Sequence, residues 1–214
     1  IERGKMIVLM VLISISALFW GIYEQGYGTW VAFAERCMDR TTFGVEWTAG
    51  QTTSFASIFV IAFSPVFAWL WPRLDKIGWN PSLPAKFGWG MIFIGVGTGF
   101  LTLATHFTDS AGLVSLWWMV GANAIIVLGE MVVSPIGLSA VTTLSVPRVV
   151  GLMMGVWFLI NFVANYAAGI IGSYAESLGE LAIFGGLAAT LFGFSVILWL
   201  LSGMLLRWTH GAER

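Results

Sequence analysis

The chain has 214 residues, of which 58% are hydrophobic and 10% charged, with a formal net charge of -1. Together with a mean hydropathy of +0.88, this composition lies outside the soluble range and identifies an integral membrane protein. It excludes nucleic acid as a partner, because no basic stripe exists to neutralise phosphates. An intramolecular disulfide is excluded by the lone Cys37, and a structural metal is not expected from His106 and His210, which stand far apart without acidic neighbours.

A bilayer core of about 30 Å needs roughly 20 apolar residues in a helix. Six stretches meet or approach that length: 6–32, 53–71, 87–105, 112–144, 149–172 and 181–206. Continuous apolar runs predict helices, whereas barrel strands would alternate polar and apolar residues. The first run is too long for a signal core, and with its start at Ile1 the chain reads as a piece of something longer. Within this first span Ser16, Trp20, Glu24 and Tyr27 share a helical face, with Glu24 toward the outer end. Pro65 in the second span and Pro135 in the fourth interrupt helical hydrogen bonding, and Gly95, Gly97 and Gly99 in the third predict close helix packing.

The fourth span holds the least expected residue. Glu130 is the sole charge between Ala111 and Leu144, and Asn123, Ser134 and Gly137 fall on its face of the helix. A charge at mid-bilayer costs about 2.5 kcal/mol or more, so this acid needs water, a cation or a proton, and each implies a cavity or a polar interface. Glu24 raises the same question nearer the membrane surface, where outer water is within reach. No Lys or Arg lies within the six spans to pair with either acid. In the fifth span Trp157, Asn161 and Asn165 form a stripe. The asparagines can join helices or line a polar wall, and Trp157 either packs in the core or borders a ligand cavity.

Basic residues orient the chain. Arg3 and Lys5 precede the first span, Arg73, Lys76 and Lys86 lie between the second and third, Arg148 between the fourth and fifth, and Arg207 and Arg214 follow the sixth. These ends, and with them both termini, are expected in the cytoplasm. The opposite loops hold Glu35, Asp39, Glu46, Asp109, Glu176 and Glu180, with Arg36 and Arg40 as their bases. Trp30, Trp47, Trp71, Trp89, Trp117 and Trp208 lie near span boundaries, as interfacial anchors do.

No linker divides the chain, so 1–214 reads as one six-helix unit. Two three-helix halves of opposite topology could be related structurally without a trace in the sequence. Enzyme chemistry is not expected, since no nucleophile–base set, paired carboxylates or phosphate loop converges. A channel, in which acids lining a pore select cations, or a self-assembling structural subunit stands as the alternative to a transporter.

The stretch GEMVVSPIGLSAVTTLSVPRVVGLMMGVWFLINFVAN, residues 129–165, resembles helices ten and eleven of the proton-dependent oligopeptide transporter family of the major facilitator superfamily. FWGIYEQGYGTWVAFAERCMDR, residues 19–40, is similar to that family's seventh helix, and SPVFAWLW, residues 64–71, to the end of its eighth. The resemblance implies the C-terminal half of a twelve-helix fold, helices seven to twelve, with the N-terminal six-helix half absent. It implies proton-coupled import of di- and tripeptides across the inner membrane by alternating access, with protons as coupling ion and no other cofactor. By the same resemblance Glu130 receives the peptide amino terminus. Trp157, Ser134 and Asn165 match cavity positions, and Glu24 matches the acid that pairs with a base of the other half at the outer gate. One departure stands out. Ala56 in SFAS, residues 54–57, occupies the place of an asparagine that contacts the peptide backbone in the family, which leaves a non-peptide substrate as an alternative. The short outer loop between the third and fourth spans fits a bacterial-type member.

Overall fold

The structure, a computed structural model, describes residues 2–212. Ile1 and Arg214 lie outside the described residues, as do the side chains of Glu176 and Glu180. Seven helices account for most of the chain: α1 Glu2–Tyr23, α2 Thr29–Cys37, α3 Ser54–Lys76, α4 Leu83–Ala104, α5 Leu116–Leu144, α6 Val150–Leu178 and α7 Glu180–Thr209. They form six segments long and apolar enough to cross a membrane, the number expected, because α1 and α2 are two parts of one span.

The division of the first span was not expected. Between α1 and α2 the chain makes a tight turn of 3-10 helix at Glu24–Tyr27. Its sequence, EQGYG, places Gly26 three residues after the last residue of α1 and Gly28 immediately before the first residue of α2, two glycines in a stretch of five. Each glycine disfavours helix by about 1 kcal/mol relative to alanine, so the α-helical pattern lapses where they fall. The face proposed for Ser16, Trp20, Glu24 and Tyr27 therefore does not continue past Tyr23. Ser16 is fully buried and its Oγ donates to the Leu12 carbonyl at 2.8 Å.

Gln25 fixes this turn against the bundle. It is 1% exposed, and its Nε2 donates to the carbonyls of Gly21 at 3.3 Å and of Ala168, on α6, at 3.2 Å. Its Oε1 accepts from the Thr29 hydroxyl in the first turn of α2. One amide thus joins the end of α1, the start of α2 and the middle of α6.

The centre of the bundle is α4, packed between α5 and α7. Close approach to α5 depends on small residues in register. A Cβ at Gly129 would lie 2.7 Å from the Gly90 carbonyl oxygen, and one at Gly97 would lie 2.4 Å from Ile126 Cγ1 and 3.1 Å from the Ala122 oxygen. The expected role of Gly97 is thereby met. A Cβ at Gly95 would meet Leu191 and Phe192 of α7 at 3.4 Å, whereas one at Gly99 would stand 3.8 Å from Ala188, an ordinary contact. Across the other face, the Ser195 hydroxyl of α7 donates to the Gly88 carbonyl at 3.0 Å.

The remaining contacts follow an exchange pattern: α1 packs on α6, and α5 packs on α3. Exchanging the first three spans for the last three interchanges this one pair of packings, whereas α4 with α5 and its counterpart, α7 with α1, are unequal. Both prolines lie inside helices, Pro65 in α3 and Pro135 in α5. At one end of the bundle a parallel pair, β1 Met38–Asp39 with β4 Val114–Ser115, ties the close of α2 to the start of α5. A hairpin of β2 Thr41–Thr42 and β3 Val45–Glu46 turns through Phe43 and Gly44, both at positive φ as tight two-residue hairpins require. Arg40 pairs with Glu35 beside it.

The tryptophans divide. Trp89, Trp117 and Trp208 are exposed, as interfacial rings should be, and Trp71 is covered by the Lys86 ammonium 4.7 Å from its centroid. Trp30 departs from the expectation: it is 3% exposed and meets Phe184 of α7 edge-on at 6.4 Å. Past the break, α2 lies against the bundle, and this ring packs inward.

Two outcomes follow from this packing. Gly129→Ala pushes a methyl group into the backbone of α4, and it is expected to lower stability by about 1–3 kcal/mol, with Gly99→Ala nearly neutral; thermal unfolding in detergent measures the difference. Gln25→Leu removes the hydrogen bond to Ala168 of α6 together with those to Gly21 and Thr29; one interhelical hydrogen bond in membrane proteins is worth about 0.6–1.7 kcal/mol, so its stability should fall by at least that much in the same measurement.

Candidate functional site

Glu130 lies near the middle of α5, one turn before Pro135, and is partly buried. Its Oε2 accepts a hydrogen bond of 2.6 Å from the Tyr23 hydroxyl. Tyr23 is the last residue of α1, so the contact joins the end of that helix to the centre of α5. Its ring is held by neighbours on α1, stacked on Phe19 at 6.4 Å and set edge-on to Trp20 at 5.3 Å. Sequence reasoning had followed the face carrying Glu24 and overlooked Tyr23. The signal was there in IYEQG, where a phenol precedes an acid at the end of a helix.

The neighbours on α5 are arranged as their spacing implied, with different tasks. Asn123 is 6% exposed and its Nδ2 donates to the Met119 carbonyl of its own helix at 2.9 Å. Ser134, one turn beyond Glu130, is partly buried. At Gly137 a Cβ would stand 2.0 Å from Trp157 Cη2, so the absent side chain is the seat of the α6 indole. Trp157 is 5% exposed, and the packing role is the one these contacts display. Its position along α5 is nevertheless two turns below Glu130, bordering the same face.

On α6 the asparagines do not join helices. Asn165 is exposed, and its Nδ2 donates to the Asn161 carbonyl at 2.8 Å. An exposed amide needs no partner across the bundle, and the close contact of α1 with α6 is made instead by Gly21, whose Cβ would lie 3.5 Å from the Ala164 oxygen.

Glu24 opens the turn after Tyr23 and is partly buried. With Asn165 it lines a cavity of about 500 Å³ whose wall also includes Gln25, Thr29 and Arg36. A base therefore borders Glu24's cavity from α2, beyond the stretch in which a cationic partner had been sought. A second space, about 20 Å³, lies on the other side of the break among Tyr23, Tyr27, Asn123 and Ala56. Ala56 thus faces the α5 polar stripe across a narrow gap. Among the described residues no cluster of His, Cys, Asp or Glu could hold a metal ion.

The site is accordingly one carboxylate held by a neutral donor, a second acid at a helix break, and an aromatic wall below. It can receive a cation or a proton.

Comparison with known proteins identifies relatives of this chain. The transporter YePEPT of Yersinia enterocolitica, a peptide transporter, is 34% identical over 178 residues, 82% of this chain and 35% of its own. The uncharacterized transporter YclF of Bacillus subtilis is 30% identical over 210 residues, 98% of this chain and 42% of its own. Among solved structures, the peptide transporter POT in complex with sulfate superposes with a TM-score of 0.87 at 31% identity, covering 97% of this chain and 42% of that one. A mutant form in complex with alafosfalin gives 0.89 at 30% identity, with the same coverage. The chain thus spans less than half the length of the relatives it matches, and its six spans correspond to half of a twelve-helix fold. The family model for PTR2, the POT family, matches residues 1–182, and the chain belongs to the POT family of transporters.

Proposed function

We propose that this chain supplies the C-terminal half of the central cavity of a peptide transporter and that Glu130 receives the amino terminus of a di- or tripeptide. The observation that carries the reading is the Glu130 carboxylate itself, held near the middle of α5 by a neutral hydroxyl 2.6 Å away. A phenol orients the acid without cancelling its charge, so a cation remains to be met. An ammonium is such a cation, and its contact with a carboxylate in a low-dielectric cavity is strong and directional. The peptide-transporter names of relatives and the alafosfalin complex support the same substrate class.

In this reading the peptide lies between the two halves. Ser134 offers a hydroxyl one turn from Glu130, Trp157 closes the floor, and Asn165 stands toward the outer cavity. Alternating access comes from rocking of the six-helix halves about the bound peptide, with uptake driven by protons. The chain lies in the inner membrane with both of its ends toward the cytoplasm, the side on which Arg3, Lys5, Arg73, Lys76, Lys86, Arg148 and Arg207 fall. Glu24 closes the outer gate with a base of the N-terminal half. A second reading, a non-peptide substrate, draws on Ala56, whose methyl group provides no hydrogen bond to a peptide backbone where it borders the Tyr23 and Asn123 gap. Competition of uptake by dipeptides separates the two.

Glu130→Gln keeps the size of the side chain and removes its charge. In the full-length transporter, purified and monodisperse, peptides with free amino termini should lose about a hundredfold in affinity or more, while N-acetylated peptides should bind weakly to both proteins. Retention of the wild-type preference for free amino termini would overturn the assignment. Glu24→Gln should leave much of the peptide binding intact and impair proton-driven uptake into liposomes; uptake equal to wild type across pH would remove Glu24 from the gate.

A further inference from the structure

We infer that Tyr23 is a positioning residue for substrate selection: its hydroxyl holds one oxygen of Glu130 so that the other is presented to the ligand ammonium. The inference rests on the peptide-binding reading above and assigns a determinant of its specificity.

A glutamate has three side-chain torsions, and fixing them on binding costs up to about 2 kcal/mol of conformational entropy. A donor already in place removes much of that cost before the ligand arrives, which is preorganisation. Tyr23 is built for this. Its hydroxyl reaches Oε2 at 2.6 Å across 107 positions of sequence, and its ring is fixed by Phe19 and Trp20. The carboxylate oxygens together accept about four hydrogen bonds, so one phenol leaves Oε1 available. A phenol is also the right kind of donor. A lysine or arginine in its place would neutralise Glu130 and compete with the ligand, whereas a neutral hydroxyl orients the acid and leaves its charge.

The location adds a second consequence. Tyr23 ends α1 and Glu24 begins the turn that follows, while Gln25 ties that turn to the Ala168 carbonyl of α6. The donor to the substrate acid is therefore covalently next to the second acid, and both are anchored to the same helix break.

Tyr23→Phe tests this without disturbing the fold, because it keeps the ring with its two aromatic contacts and deletes one oxygen. In the full-length transporter the affinity for dipeptides with free amino termini should fall about tenfold, the worth of a hydrogen bond to a charged group, and that for N-acetylated dipeptides should change less than about twofold. In the Glu130→Gln background, Tyr23→Phe should change affinity for either ligand less than about twofold, since there is no carboxylate left to orient. A loss shared equally by the two ligand types, a full tenfold loss persisting in the Glu130→Gln background, or no loss at all overturns the inference. If Glu130→Gln itself keeps the wild-type preference, the peptide-binding reading fails and the inference with it. If Glu130→Gln loses the preference while Tyr23→Phe keeps it, the inference alone fails.

Discussion

Inside a bilayer there is no water to satisfy a polar group, so each one must find its hydrogen bond within the protein. Most polar side chains meet this need in one of two ways, with Trp30 Nε1, Trp71 Nε1, Thr98 Oγ1 and Ser145 Oγ, among the described residues, buried without a hydrogen-bond partner. Ser16, Asn123 and Asn165 return their hydroxyl or amide to a carbonyl one turn earlier on the same helix, which settles the side chain locally and leaves packing to apolar neighbours. Gln25 and Ser195 reach another helix and fix how the helices sit. Glu130 obeys the rule only in part. Its hydrogen bond to Tyr23 satisfies one oxygen, but a hydroxyl does not balance a charge. The constraint that builds the bundle is thus what singles out Glu130, and Glu24 at the helix break, because the buried side chains of Ser16, Gln25, Asn123 and Ser195 are electrically neutral.

The break in the first span follows from the same constraint. Interrupting a helix within the membrane frees backbone groups, and such a break is tolerated where side chains or neighbouring helices take them up or where it borders a cavity. Both conditions hold at Glu24–Tyr27. The Thr29 hydroxyl donates to Gln25, Gln25 donates to the Gly21 and Ala168 carbonyls, and a cavity of about 500 Å³ lies alongside. Two glycines in five residues permit the turn, and one buried glutamine makes it specific. An unbroken helix would carry Glu24 on the face of Trp20, away from the end at which Tyr23 meets α5.

Much of this was legible in the sequence. Six apolar runs gave six spans because lipid imposes length and continuity on a helix, and Glu130 announced itself because a lone acid in an apolar run has few harmless explanations. The glycines of α4 were readable as a class, although only the partner helix decides that Gly97 is tight and Gly99 is not. What escaped were relations across distance. Tyr23 became important through a residue 107 positions away, Trp30 was an interfacial ring until α2 was placed against α7, and Arg36 bordered Glu24's cavity only once the chain had turned. Helical periodicity predicts a face on the assumption that the helix continues. At Glu24 it does not, and the stripe drawn through Ser16, Trp20, Glu24 and Tyr27 ended with it.

The distribution of packing bears on how such a site could work. α4 and α5 are locked by approaches to backbone such as that of Gly129 to the Gly90 carbonyl, and α7 packs on α4 through side chains such as Leu191 and Phe192, contacts that close-packed interiors do not deform gradually. α3 and α6 are different. Ile58, Ile61, Val66 and Trp69 on α3, with Leu152, Phe158 and Phe162 on α6, leave broad apolar faces uncovered by the rest of the chain, suited to lipid or to the other half of a twelve-helix fold. Glu130 therefore belongs to the rigid group of helices, whereas its donor, Tyr23, ends a helix that packs chiefly on α6. An acceptor on α5 facing a donor mounted beside a helix break is an arrangement in which a displacement of the break alters the Tyr23–Glu130 hydrogen bond together with those that Gln25 makes to α1, α2 and α6. If the two halves rock, the break is where that displacement reaches Glu130, which gives the adjacency of Tyr23 and Glu24 a physical reason.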